Sequence, residues 1–401
     1  SLVYGLGGKD FFKEDAKTML EWAEDSTTPD FAYYGVTPGE EAEETKGPLF
    51  EPVTRERTKI DATKVEKVVE TEATETNVKN EGIKVIGGSL HSVTAMPARI
   101  APGHGACPGC GIPVNLNLLL RGIEDPVVFL FQTGCAMIVT TAYPKTSFKV
   151  PYLHNLFQNG AATLSGVAEI CYRKQQKGEI PPGDIIFIMV SGDGGLDIGM
   201  GSAIGTALRG HRLLIFEYDN GGYMNTGYQL SYSTPLGARS STSHVGTEQY
   251  GKNFFHKDMP QIMAATGIPY VATVAESNPT DFIKKAAKAA YYAKTTGTAY
   301  VKAISACPLN WNDKPATERK VIEAAVNCCY FPLYEVEQGV TSLSYDPEKT
   351  GKKIPVSDWL SMMGRTKHLQ KEEYREVVER LQQETDKRFY RLKKKAEESV
   401  D

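Results

Sequence analysis

The chain has 401 residues, and its 45 Lys and Arg against 49 Asp and Glu give a net charge of -4, a balance that announces no nucleic-acid reader. At 41% hydrophobic and 9% aromatic content, a chain of this length can build one large core or two smaller ones, which excludes wholesale disorder and collagen-like structure. No apolar run approaches the roughly 18 residues of a membrane span and Ser1–Phe12 lacks a signal-peptide pattern, so a cytoplasmic protein with no membrane or nucleic-acid partner is expected.

Residues 1–36 hold a short amphipathic segment in which Phe11, Met19, Leu20 and Trp22 stand among charges. Residues 37–98 read as an extended polar connector, rich in Glu, Thr, Lys and Pro over Thr37–Lys79 and without a sustained apolar period. Across residues 99–345, apolar runs alternate with helical segments divided by Gly and Pro, the pattern of an α/β unit with a mainly parallel sheet and helices on both faces. Residues 346–401 form a charged helical tail. Its last helix, about Gln370–Lys395, carries Tyr374, Val377, Val378, Leu381 and Leu392 at mostly helical spacing and packs on a neighbour.

Four apolar runs in the middle region, Val127–Phe131, Ile185–Val190, Leu213–Phe216 and Ala299–Ile304, each break off at residues suited to cofactor chemistry. Just after them come Thr133-Gly134-Cys135, Gly192-Asp193-Gly194-Gly195, Asp219-Asn220 and Cys307. Ligands of an open parallel sheet bind beyond the carboxyl ends of its strands, so four parallel neighbours would put these residues on one edge. The glycines let backbone approach a phosphate, and the segment Ile198–Leu208 could offer the helix N-terminus that favours an anion. A lone Gly-Asp-Gly is equally a simple turn. Asp193 and Asn220 together, with a backbone carbonyl near Gly222 and diphosphate oxygens, would suit octahedral Mg²⁺.

Seven cysteines are too few for a disulfide scaffold. Cys107-Pro-Gly-Cys110 has the tight spacing that brings two thiolates to one metal centre, Cys135 adds a third and Cys307 a fourth across the sheet edge. Such a set suits zinc or an iron-sulfur cluster, and spacing alone does not choose. A thioredoxin-type dithiol is disfavoured because two further cysteines fall at neighbouring strand ends. Proximity to a diphosphate site argues for redox. Cys171, Cys328 and Cys329 read as ordinary buried thiols.

The motifs Gly192-Asp-Gly-Gly-Leu-Asp-Ile-Gly199, Tyr218-Asp-Asn-Gly-Gly-Tyr-Met-Asn-Thr-Gly227 and Ser233-Thr-Pro-Leu-Gly-Ala238 together resemble the β subunit of 2-oxoacid:ferredoxin oxidoreductases, of which pyruvate synthase is the best-known member. The likeness extends through Cys107-Pro-Gly-Cys110, Val150-Pro-Tyr-Leu-His-Asn155, Cys307-Pro308 and Pro332-Leu-Tyr-Glu-Val336, from about residue 100 to 370. It implies a thiamine diphosphate-binding fold. Asp193, Asn220 and the Gly222 carbonyl would ligate Mg²⁺, and Cys107, Cys110, Cys135 and Cys307 would hold a 4Fe-4S cluster. Thr133, Gly134, Gly192, Gly194 and Gly195 would line the diphosphate with Tyr223, Met224 and Thr226 nearby, and Asn225 would face the reacting centre. His154 and Asn155 fit the pattern but also fit a packing role.

The resemblance further implies oxidative decarboxylation of a 2-oxo acid, with the acyl group passing to coenzyme A and electrons leaving through the cluster to ferredoxin or another acceptor. The glutamate that activates the cofactor would lie on an α subunit, which carries the pyrimidine-binding domain. The chain has no ferredoxin-like CxxCxxCxxxCP run, so γ and ferredoxin-like δ subunits are expected partners. Leu2-Val-Tyr-Gly-Leu-Gly-Gly-Lys-Asp10 resembles the end of that α subunit. Pyruvate is the default substrate, while Leu230 and Tyr232 near the thiamine motif leave room for an aromatic 2-oxo acid such as phenylglyoxylate. Two readings compete: a non-redox thiamine decarboxylase or carboligase with structural zinc, and an inert scaffold subunit.

Overall fold

The structure, a computed structural model, describes residues 97–141 and 146–399. The expectations for residues 1–36, and for the connector up to residue 96, fall outside the described residues. Within them, eight strands form one sheet: β1 (Val127–Gln132), β2 (Tyr152–Asn155), β3 (Ile186–Gly192), β4 (Leu214–Asp219), β5 (Tyr270–Val274), β6 (Ala299–Ile304), β7 (Tyr334–Glu337) and β8 (Val340–Leu343). Their order is β2-β1-β3-β4-β6-β5-β7-β8. The first six are parallel, and β7 and β8 extend the edge antiparallel.

The helices are α1 (Gly111–Arg121), α2 (Cys135–Thr140), α3 (Gly160–Gln176), α4 (Asp193–Ile198), α5 (Met200–Leu208), α6 (Met259–Ala264), α7 (Pro279–Thr295), α8 (Glu318–Asn327), α9 (Val356–Ser361) and α10 (Arg375–Glu398). Side chains along a strand point to opposite faces in turn, so a strand buried on both sides reads as an unbroken apolar run. On one face Ile186, Ile188 and Val190 join a core with Leu116, Leu119, Phe282 and Ala286 of α1 and α7. On the other, Phe187 and Met189 pack with Leu164 and Ala168 of α3, Ala203 of α5 and Met263 of α6. A third cluster, with Trp311, Ile322, Trp359 and Leu381, joins α8, α9 and α10 beyond the strand ends.

The four runs singled out in the sequence are β1, β3, β4 and β6, four adjacent parallel strands. Their registers pair Phe131 with Val190, Gly192 with Tyr218 and Asp219 with Ile304. The residues after each strand therefore share one edge. Two elements differ from expectation. The helix expected at Ile198–Leu208 is present as α5, Met200–Leu208, but a separate short helix, α4, opens before it at Asp193, because Gly192 takes extended backbone as its cap and Asp193 suits a first turn. The last helix starts at Arg375, after two short 3-10 turns at Lys367–Gln370 and Glu372–Tyr374. Its buried stripe of Val377, Leu381, Thr385, Phe389 and Leu392 includes Thr385 and Phe389, which the sequence reading left out.

Candidate active site

Every expected cofactor-lining residue except the fully buried Asp193 borders one cleft at this edge, and Phe157 and Tyr218 complete its wall. Close packing explains the glycines. A Cβ at Gly194 would stand 2.5 Å from the Tyr223 ring, and one at Gly134 would stand 2.7 Å from the Tyr218 hydroxyl. Gly221 has φ +68°, backbone that an L side chain rarely adopts.

Asp193 is 1% exposed. Its Oδ1 accepts from the Asn220 N–H at 3.3 Å, and its Oδ2 from the Gly222 N–H at 2.9 Å and the Ser231 hydroxyl. Burial, followed by the charges of Asp219 and Asp197, pushes its carboxyl well above the usual range, while Lys257 and the Ser231 bond oppose the rise. Lys257 also donates to the Asp193 carbonyl oxygen at 2.8 Å and pairs with Asp197.

The Asn220 amide oxygen faces the Gly222 carbonyl oxygen at 3.0 Å and Asp193 Oδ1 at 3.1 Å, whereas the reversed amide would donate its N–H to both. In the unreversed orientation the three acceptors repel one another unless a proton or a cation lies among them. Oxygens about 2.0–2.1 Å from Mg²⁺ and at right angles stand about 3.0 Å apart, so this trio fits the edges of a magnesium octahedron.

The cysteines are brought together by the same sheet edge. Cys107 and Cys110 flank a turn closed by the Cys110 N–H to the Cys107 carbonyl at 3.0 Å, with Gly109 at φ +78° in the position that needs it. Cys110 caps α1, Gly134-Cys135 opens α2, and Cys307 caps a short π-helical turn, Pro308–Asn312. The Gly111 N–H donates to the Ala306 carbonyl at 3.2 Å, joining the first of these to the last. Burial raises Cys110 and Cys135 to about 12 and also raises Cys307, and each of these thiols feels the charge of others in the set. Backbone N–H groups act the other way, from Ile112 on Cys110, Asn225 on Cys135, and Asn310 and Leu309 on Cys307. All four are free thiols. Among the described residues, no three Cys, His, Asp or Glu side chains converge as ligands of a single ion. Four thiols from three segments meet along this edge, and a donor set of thiolates suits a soft metal centre.

Of the other residues singled out, Asn225 has an exposed side chain and meets Cys135 through its backbone. His154 Nε2 lies 2.9 Å from the Thr133 hydroxyl, and the Asn155 carbonyl accepts the Thr133 N–H at 3.0 Å, so both brace the end of β1. Tyr232 is 52% exposed and Leu230 partly so; neither lines the cleft. Cys328 and Cys329 are buried, but Cys171 is only partly so, because it lies where α3 turns toward solvent. Phe157, Ser231, Lys257 and Trp311 were missed. Ser231 sits between two quoted motifs, whereas the others have no signal in spacing.

A mainly parallel sheet with this glycine-rich edge and oxygen trio defines a thiamine diphosphate enzyme domain, and residues 132–303 match the family described as thiamine pyrophosphate enzyme, C-terminal TPP binding domain. The chain is 39% identical over 290 residues to pyruvate synthase subunit PorB of Methanocaldococcus jannaschii, covering 72% of this chain and 94% of that one. It is 39% identical to PorB of Thermotoga maritima, covering 73% and 90%. Ketoisovalerate oxidoreductase subunit VorB of Pyrococcus furiosus is 32% identical, with 74% and 92% covered. The chain belongs to the PorB family of 2-oxoacid:ferredoxin oxidoreductase β subunits.

Proposed function

We propose that this subunit serves the oxidation of pyruvate, with thiamine diphosphate and Mg²⁺ in the cleft and a 4Fe-4S cluster on Cys107, Cys110, Cys135 and Cys307. The observation that carries the reading is the double position of Cys135, which borders the cleft and stands among the other three thiols. An electron leaving the cleft then has an acceptor at its wall.

When bound, the thiamine ring supplies the nucleophile and electron sink, the cluster accepts electrons singly, and coenzyme A takes the acyl group. The chain's own residues set the stage. Asp193, Asn220 and the Gly222 carbonyl hold the metal, while the first-turn N–H groups of α4 at Gly194 and Gly195 are free to face the diphosphate. Asn225 stands at the open side, where its amide can reach developing charge.

Pyruvate is favoured because the PorB relatives exceed VorB in identity and because Leu230 and Tyr232 stay outside the cleft wall. Leu153, Leu156 and Ile198, on segments bordering the site, are each more than 40% exposed. They suit cover by an α subunit bearing the activating glutamate, with γ and δ subunits and ferredoxin beyond it. The test is iron and acid-labile sulfide analysis of the assembled complex, with viologen reduction across a panel of 2-oxo acids. About four irons per chain and preference for pyruvate support the reading, whereas stoichiometric zinc or preference for a branched or aromatic acid overturns it.

A further inference from the structure

Arg365 lies in the segment after α9 and is only 2% exposed. Its Nη1 donates to the Gly221 carbonyl at 3.1 Å and to Asn310 Oδ1 at 3.3 Å, and its guanidinium stacks 4.5 Å over the Trp311 ring. Its Nε is buried with no hydrogen-bond partner. Among the described residues no carboxylate forms an ion pair with it. A buried charge without a counter-ion is costly, and proteins seldom keep one.

Arg365 touches both halves of the site. Trp311 donates its Nε1–H to the Asn220 carbonyl at 2.7 Å and its backbone N–H to the Cys307 carbonyl at 2.8 Å. The Arg365 N–H in turn donates to the Trp311 carbonyl at 3.2 Å. Arg365 and Trp311 thus grip two successive carbonyls, of Gly221 and Asn220, immediately before Gly222. The titratable groups that face the guanidinium are Tyr330, Cys307, Asp219, Asp193 and Asp313.

We propose that Arg365 is a positioning residue whose missing counter-charge is the thiolate cluster: its buried cation stabilises the reduced, more negative cluster, while its Nη1 holds the Gly221 carbonyl and with it the metal-binding loop. The proposal rests on the cofactor reading above. Reduction adds one negative charge to the cluster, so a nearby buried cation makes that step more favourable. A lysine would keep the charge but lose the planar guanidinium that stacks on Trp311 while its Nη1 reaches Gly221 and Asn310.

The test is a redox titration of the cluster, followed by electron paramagnetic resonance, in the assembled complex carrying Arg365→Met or Arg365→Lys. The Met variant is expected to show a roughly tenfold smaller reduced fraction at a fixed potential, a midpoint about 59 mV more negative for a one-electron couple. The Lys variant is expected to stay near the native midpoint but to bind thiamine diphosphate more weakly. Should the Met variant lose its iron, iron retained at native midpoint by the Lys variant supports the proposal. A Met variant that holds its cluster at the native midpoint overturns it, as does a Lys variant that loses iron or shifts as far as Met. Native complex without iron would instead overturn the cofactor reading itself.

Discussion

Asn115 Nδ2 donates to the Ile304 carbonyl oxygen at 3.0 Å in the fully buried interior. One side chain thereby ties α1, which Cys110 caps, to the end of β6, three residues before Cys307. Asn115→Leu leaves the buried carbonyl unsatisfied and is expected to cost about 1–3 kcal/mol. It should also lower iron per chain, so thermal unfolding and iron analysis together check it; lost stability at native iron content would mean that other contacts set the distance between the thiols.

Asp193 accepts three hydrogen bonds that shape the loop and faces the Asn220 oxygen as well. Asp193→Ala in the assembled complex should reduce activity by at least about 100-fold, the scale on which misplaced reacting groups lose rate. Bound thiamine diphosphate, measured after gel filtration, should fall in parallel. Full activity would favour the scaffold alternative.

Two glycines separate crowding from flexibility. Gly194→Ala drives a Cβ into the Tyr223 ring, whereas Gly166, exposed in the middle of α3, has nothing within 4 Å of its would-be Cβ. The first change should weaken cofactor binding in isothermal titration. The second should leave binding alone and raise stability by about 0.5–1 kcal/mol, seen as a higher Tm.

Glu276 and Glu318 meet beneath the Cys107-Cys110 turn, where a Cβ at Gly111 would lie 3.3 Å from Glu318 Oε1. Burial first, then the hydrogen bond and charge of Glu318, raises Glu276 to about 10, with Arg319 opposing. A proton shared between the carboxyls satisfies them; without it Glu276 Oε2 and Glu318 Oε1 are buried and unpartnered. The folded state therefore holds a proton that the unfolded chain releases near the ordinary carboxyl value, and stability falls as pH rises from about 4.5 toward 10. Glu276→Gln keeps a donor in place, so its Tm should gain on the native protein between pH 5 and 9 and match it near pH 4.

The proposed reliance on an α subunit gives a fifth test. The purified chain alone should bind thiamine diphosphate poorly and turn over no 2-oxo acid, with activity restored on adding its partner subunits; robust turnover by the lone chain would show that the activating group lies within it.

Much of the site was legible because parallel strands bury both faces and so write themselves as apolar runs, with the chemistry at their ends. Thr133, Gly192-Asp193, Asp219-Asn220 and Cys307 were found that way. What stayed hidden depends on three-dimensional convergence. Arg365 lies 144 positions from the Gly221 carbonyl it holds, and no spacing rule links them. Trp311 carries no signal in the sequence, and its part shows only in the ring placed against that guanidinium. The short helix α4 was missed because its two glycines, Gly194 and Gly195, weaken any helical pattern, although the first turn is where their small size is needed.

Cys135 opens α2 and forms part of the cleft wall, so a single sulfur answers to two neighbours. On the proposed reading, an oxidant reaching that atom would strike the electron relay and the vitamin's seat in one event. Air damage in this subunit would therefore be felt as an all-or-nothing loss, and protection would have to come from whatever closes the cleft mouth.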